Sequence, residues 1–274
     1  ATPGCEGAPT VILQAHMDMV AEKNNDTVHD FLKDPIQTYI DGDWVKARGT
    51  TLGADNGIGM AAAMAALIDP DLMHGPLECL FTINEEIGLE GAINLGEGMI
   101  TGKILINLDS EDDGEIFVGC AGGIDTTAFF SYNRAVSPEH FHYLKVSVSG
   151  LLGGHSGGDI HLGRANANKL IARFLWDCAQ NHDIAVSEFN GGNLRNAIPR
   201  EAYAIFGIHG ELKEKVKEHL EKYVAEIRNE YAGVEPAMKF TVEEVAKPEY
   251  CIDAATSIAL VRALYSAPHG VYSM

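Results

Sequence analysis

Four side chains of metal-ligand type close four successive apolar segments in the first part of the chain: His16, Asp55, Glu86 and Asp109. Imidazole nitrogen and carboxylate oxygen are donors that a divalent cation takes. Glu86 directly follows a second glutamate, Glu85. Adjacent residues at a strand end point in different directions, so one can ligate while the other acts on metal-bound water. Two like charges held side by side at the mouth of an apolar core repel unless a cation compensates them. The same repulsion lifts one pKa toward a useful range. His16 and Asp18 stand two residues apart and can face the same side, with Asp18 orienting either the ligand or the catalytic glutamate. Asp55, within RGTTLGADNGIG, can bridge two cations or cap the helix that follows; the two uses compete for the same oxygens. Taken singly, each residue has an ordinary reading as a strand-end histidine, a helix cap or a solvated acid. Jointly they predict a two-cation site. Glu111, Asp112, Asp113 and Glu115 read instead as a solvated loop.

Such residues must be held by rigid elements. Residues 9–16 (PTVILQAH), 77–84 (LECLFTIN) and 103–108 (KILINL) are short apolar runs suited to buried strands, as is 115–119 (EIFVG). Residues 43–48 read as a hairpin strand, and the Ala- and Met-rich stretch 57–67 as a helix packed closely on a sheet. Strands alternating with helical segments imply a mainly parallel, doubly wound α/β sheet, whose ligands gather at strand carboxyl ends. His16, Glu85, Glu86 and Asp109 fall there. The pattern changes after Gly123: strands at 143–149, 184–190, 202–209 and 238–245 alternate with helices after Gly163 and at 211–231. That order, βαββαβ, is the split βαβ arrangement of a small ferredoxin-like α+β domain. Two domains are expected, 1–122 and 123–274, the first incomplete and the second truncated at its C-terminal side.

Bulk properties narrow the class. The chain has 274 residues, 46% of them apolar, and a net charge of −19 from 20 basic and 39 acidic residues. That balance argues against nucleic acid and against an anionic membrane surface. Five cysteines without CxxC spacing favour a reduced, cytoplasmic compartment. The chain opens on ATPG without an initiator Met and stops shortly after a Pro268-His269-Gly270 turn, so a fragment of a longer chain is expected.

The segments QAHMDMV (14–20), RGTTLGADNGIGMA (48–61), TINEEIGLEGA (82–92), INLDSEDDGEIFVGCAGG (106–123), GLLGGHSGGDIHLGRANA (150–167) and NGGNLRNAIPREA (190–202) resemble the co-catalytic zinc aminopeptidase/carboxypeptidase/aminoacylase family. Similarity is greatest to its aminoacyl-histidine dipeptidase branch and runs nearly the length of the chain. The resemblance implies hydrolysis of dipeptides, of the Xaa-His (carnosine) type, by a metal-activated water. It implies two zinc ions, with His16 and Asp109 on one, Glu86 on the other and Asp55 bridging; a carboxylate-rich site also accepts manganese or cobalt. Glu85 would be the general base and Asp18 its support. In the smaller lid domain, His155 would hold the substrate or its oxyanion, and Asn193, Arg195 and Asn196 would contact the substrate carboxylate. A homodimer through that lid is implied as well. One departure stands out: the family's second zinc takes a final histidine far downstream, and His269 does not match that motif. The last ligand is therefore expected to be missing, and the fragment to be inactive or weakly active.

Other readings compete. An N-acyl amino acid deacylase or a tripeptidase would use the same residues, and a silent fragment would act only in binding or dimerisation. Gly154-His155-Ser156-Gly157-Gly158 fits the G-x-S-x-G elbow of serine hydrolases, but the flanking strand and helix lie too far from Ser156. Gly57-Ile58-Gly59-Met60-Ala61-Ala62 fits a dinucleotide fingerprint, yet Asp55 would repel a pyrophosphate.

Overall fold

The computed structural model describes residues 1–272, and the chain divides into two compact units, Ala1–Gly123 and Ile124–Met274. In the first, β1 (Val11–His16) lies between β4 (Leu77–Thr82) and β5 (Ile104–Asn107), all parallel. A hairpin of β2 (Thr38–Asp41) and β3 (Trp44–Ala47) and the helix α1 (Ala54–Ile68) connect β1 to β4. A single turn, α2 (Glu90–Ile93), lies on the way to β5. The first crossover leads to one side of β1 and the second returns to the other, so the strand order reverses between β1 and β5. Ligands of open α/β sheets bind at such a switch point, beyond the strand carboxyl ends.

The predicted strand at 115–119 does not form: the chain is irregular from Leu108 to Asn133. Its apolar residues meet no pairing strand among the described residues, and Ile116 and Val118 are 92% and 99% exposed. Without a ladder partner the backbone groups of a lone strand gain nothing over water.

The second unit carries a four-stranded antiparallel sheet in the order β10-β7-β9-β8. Its elements run β7 (Phe141–Ser149), α3 (Ala167–Asn181), β8 (Ile184–Gly191), β9 (Ala202–His209), α4 (Lys213–Glu230) and β10 (Lys239–Val245). This is the βαββαβ order read from the sequence. Period-two alternation sends Leu144, Val146, Val148, Ala204, Phe206 and Ile208 into one core, where α3 contributes Leu170, Ile171, Phe174 and Leu175, and α4 Val216, Leu220, Tyr223 and Ile227. Phe174 meets Phe206 and Tyr223 at ring-centroid distances of 6.1 and 5.6 Å, and the Tyr223 hydroxyl donates to the Leu170 carbonyl at 2.7 Å. A ribbon of β6 (Arg134–Val136) with β11 (Tyr250–Ile252), and the helix α5 (Ala254–Ser266) capped by Asp253, complete the unit; the sequence reading did not include them.

One buried acid ties the loops of this unit together. Glu235 is 5% exposed, and its carboxylate accepts from the amides of Leu152 at 2.8 Å and Ala165 at 2.9 Å. Glu235→Ala leaves both donors without that partner and should destabilise the unit by about 2–4 kcal/mol. Glu226→Ala, on the exposed side of α4, should change stability by less than about 0.5 kcal/mol. Urea unfolding of the two variants compares them directly.

Candidate metal centre

His16 ends β1 and is 1% exposed. Its Nδ1 lies 2.9 Å from the backbone carbonyl of Asp18. A carbonyl oxygen only accepts, so Nδ1 carries a proton and donates. Nε2 then faces Asp55 Oδ1 at 3.0 Å and Asp109 Oδ1 at 3.4 Å. A lone pair aimed at two carboxylates is repulsive unless a proton or a metal cation lies between them. The ring's pKa shows the balance: burial opposes its charge, but the Asp109 and Asp55 carboxylates outweigh burial and raise it.

Asp18 serves the next strand end. Its two carboxylate oxygens accept from the backbone amides of Glu85 and Glu86, both at 3.1 Å. Burial disfavours this charge, yet the two amides hold the carboxyl below the usual range. A single residue thus orients His16 through its carbonyl and the Glu85-Glu86 segment through its side chain.

Asp55 does not cap α1. Gly53 occupies the cap position, and Asp55 and Asn56 at the first turn have non-helical backbone angles, joined by a cis peptide bond. Asn56, 2% exposed, accepts from the Gly59 amide at 3.1 Å. The capping work falls to Asn56, which leaves the Asp55 carboxylate to His16. The signal was present in the sequence as an Asn three residues before an amide donor, but Asp55 drew the assignment. Gly59 is needed for close approach: a Cβ there would stand 2.8 Å from the Leu108 carbonyl, next to Asp109.

Candidate ligand atoms of His16, Glu85 and Glu86 lie within 4.8 Å of one another, as do those of His16, Asp55 and Asp109. The two groups share the imidazole. Burial, with Asp55 and Glu85 adding repulsion, pushes Glu86 up to about 7. Burial, again with Asp55 and Glu85 and against the pull of His16, takes Asp109 to about 6. One imidazole and four carboxylates so crowded form a donor set that fits divalent cations.

The second unit holds the other predicted residues. The His155 Nδ1 accepts from the amides of Gly157 and Gly158 at 3.1 and 3.0 Å. The loop is bound to the segment after β8: the Ser156 amide donates to Asn196 O at 2.7 Å and the Ile198 amide to Gly154 O at 2.8 Å. Asn193 and Arg195 line a cavity of about 360 Å³ together with Ser156, Asn168 and His269. Arg195 pairs with Asp125 at 3.1 Å. Asn196 contributes its backbone to the His155 loop and is not on the cavity wall. His269 sits here too, its ring nitrogens 3.3 Å from the Asn166 amide group and the Arg164 carbonyl. No serine elbow exists, because Ser156 lies in a loop between β7, ending at Ser149, and α3, beginning at Ala167. The G-x-G-x-x-A segment lies inside α1 with no strand leading into it.

A parallel sheet with a carboxylate–imidazole cluster at its switch point, followed by a βαββαβ domain, defines an α/β protein built around a divalent-cation site. Comparison with known proteins narrows the class. Residues 146–235 match the peptidase dimerisation domain family. The cytosol non-specific dipeptidase of Escherichia coli is 50% identical over 271 residues, which cover 99% of this chain and 56% of that protein. The crystal structure of aminoacylhistidine dipeptidase from Vibrio alginolyticus, 49% identical, superposes with a TM-score of 0.63 over 100% of this chain and 56% of that one. An uncharacterised Bacillus subtilis protein is 34% identical over 112 residues, 39% of this chain and 28% of its own length. The M20 dimerisation-domain match covers part of the second unit, and along its whole length the chain is similar to these two dipeptidases. It spans just over half the length of the two dipeptidases it matches.

The charge cluster has a consequence for stability. Glu86, Asp109 and His16 all have folded pKa values raised above their ordinary ones. A raised group favours the fold while protonated and loses that contribution as pH rises through its folded pKa. The metal-free protein should therefore lose thermal stability between about pH 5 and 8, and zinc should restore more of it at the upper end. Thermal melts with chelator and with zinc measure this; Glu86→Gln should flatten the metal-free profile.

Proposed function

We propose that this protein is a metal-dependent dipeptidase of the cytosol that hydrolyses small dipeptides, those with a C-terminal histidine among them. The observation that carries the reading is the His16 imidazole, fixed through Nδ1 on a carbonyl and turned by Nε2 toward Asp55 and Asp109. The names of its two dipeptidase relatives supply the substrate class. His16 and Asp109 would hold one cation, Glu86 the second, and Asp55 would bridge them; zinc is the proposed ion, and two are proposed per subunit. When bound, such cations polarise a carbonyl and make water a nucleophile at neutral pH. Glu85 takes the proton of the attacking water as hydroxide adds to the scissile carbonyl carbon, then delivers it to the leaving amine as the C–N bond breaks. Asp18 positions Glu85 through its backbone amide. From the second unit, His155 donates to the oxyanion, while Asn193, Arg195 and Asn196 receive the substrate carboxylate. That unit also forms the homodimer, in keeping with its match to a dimerisation domain. Among the described residues no helix is long and apolar enough to cross a membrane.

Zinc-loaded Glu85→Gln should retain its metal and lose about 10²–10⁴-fold in dipeptide turnover. A near-wild-type rate would remove Glu85 from the mechanism, and loss of metal would make it a ligand. Asp55→Ala should lose both ions together in elemental analysis after dialysis; one tightly held ion would show that Asp55 is not the bridge.

A further inference from the structure

The loop that carries His155 is built around the ring's inner nitrogen. Two backbone N–H groups, of Gly157 and Gly158, point at Nδ1 from 3.1 and 3.0 Å. A nitrogen that faces two donors must offer its lone pair, so the proton of the neutral ring sits on Nε2. We propose that the Gly157 and Gly158 amides lock His155 in the Nε2–H tautomer, making its free nitrogen a hydrogen-bond donor and barring it from acting as a base. The two glycines are positioning residues that act through His155. The inference rests on the dipeptidase reading only for the acceptor, the scissile carbonyl oxygen as it becomes an oxyanion.

The surroundings hold this arrangement from both sides. The His155 amide donates to Asp159 Oδ2 at 2.9 Å, and Arg164 Nη1 joins Asp159 at 3.2 Å and the Gly153 carbonyl at 2.7 Å. Gly154, at φ +136°, passes so close that a Cβ would meet Arg164 Nη1 at 2.4 Å and Asp159 Oδ2 at 2.5 Å. At position 157 a Cβ would press on His155 Cε1 and Nδ1 at 3.2 and 3.3 Å, tilting the ring off its two donors.

Long-range ¹H–¹⁵N correlation spectra of the ¹⁵N-labelled, metal-free chain at pH 8 read the tautomer directly, with the His155 signals identified by their loss in His155→Asn. The expected result is an unprotonated Nδ1 and a protonated Nε2. A predominant Nδ1–H form, or a mixture matching free histidine in the same buffer, overturns the proposal. The measurement needs neither metal nor substrate, so its failure is separable from failure of the dipeptidase reading. Two variants then divide the loop's support from the donor. Asparagine's oxygen can still accept the Gly157 and Gly158 amides, so His155→Asn should leave their hydrogen-exchange rates unchanged yet lose about 10²–10³-fold in turnover. His155→Gln, which carries an N–H farther out, should recover part of that rate. Full activity in His155→Asn would overturn the donor role.

Discussion

The hydrogen bond from His16 Nδ1 to the Asp18 carbonyl governs the first unit. It leaves Nε2 as the ring's outward atom and turns it toward Asp55 and Asp109. Glu85 and Glu86 are brought to the same place by the other end of Asp18. Four carboxylates around one buried imidazole make an unfavourable arrangement in the absence of added positive charge. Burial first, and the neighbouring carboxylates after it, raise the protonation of Glu86 and Asp109. What holds the groups together is backbone: three parallel strand ends, two amides on Asp18 and the close approach of α1 to Leu108 at Gly59.

The sequence made much of this legible, for identifiable reasons. His16, Glu86 and Asp109 follow apolar strands whose length and composition leave little doubt about where the sheet ends. In a parallel sheet those ends converge by construction. The βαββαβ unit was equally readable, because its strands alternate and its helices carry apolar stripes such as Leu170, Ile171, Phe174 and Leu175. The start of α1 was not. Asp55 and Asn56 are both good cap residues, and only their non-helical backbone angles show that Asn56 caps while Asp55 turns to the imidazole.

Residues 115–119 failed for a different reason. Their composition is that of a strand, but a strand is a property of a pair, and periodicity carries no knowledge of a partner. The opposite failure befell α5. Its apolar residues form only a weak helical stripe, and what holds it is distant: the Lys169 ammonium, which donates to the carbonyls of Leu264 at 3.1 Å and Ala267 at 2.6 Å, and Trp176, stacked on Tyr265 at 5.4 Å. Contacts between residues so far apart in the chain leave no local mark in the sequence. The G-x-S-x-G match, rejected as an elbow on its spacing, has a different use here, since the glycines after Ser156 serve the loop as unobstructed amide donors to His155.

His16 and His155 show how backbone polarity selects what an imidazole can do. At His16 a carbonyl faces Nδ1, so Nδ1 holds the proton and Nε2 presents a lone pair suited to a cation. At His155 two amides face Nδ1, so Nδ1 presents the lone pair and Nε2 holds the proton, suited to an anion. The side chain is the same in both, and neither role follows from its intrinsic pKa. Exchanging one acceptor for two donors at the inner nitrogen reverses the sign of the partner at the outer one. On the proposed dipeptidase reading, the two signs would be a lone pair to hold a metal and a proton to meet the charge that develops on a carbonyl oxygen. Because the backbone assigns them, a histidine-for-histidine match in a motif conveys the role only together with the residues that face Nδ1: the carbonyl of Asp18 in QAHMD, and the paired glycines in GHSGG.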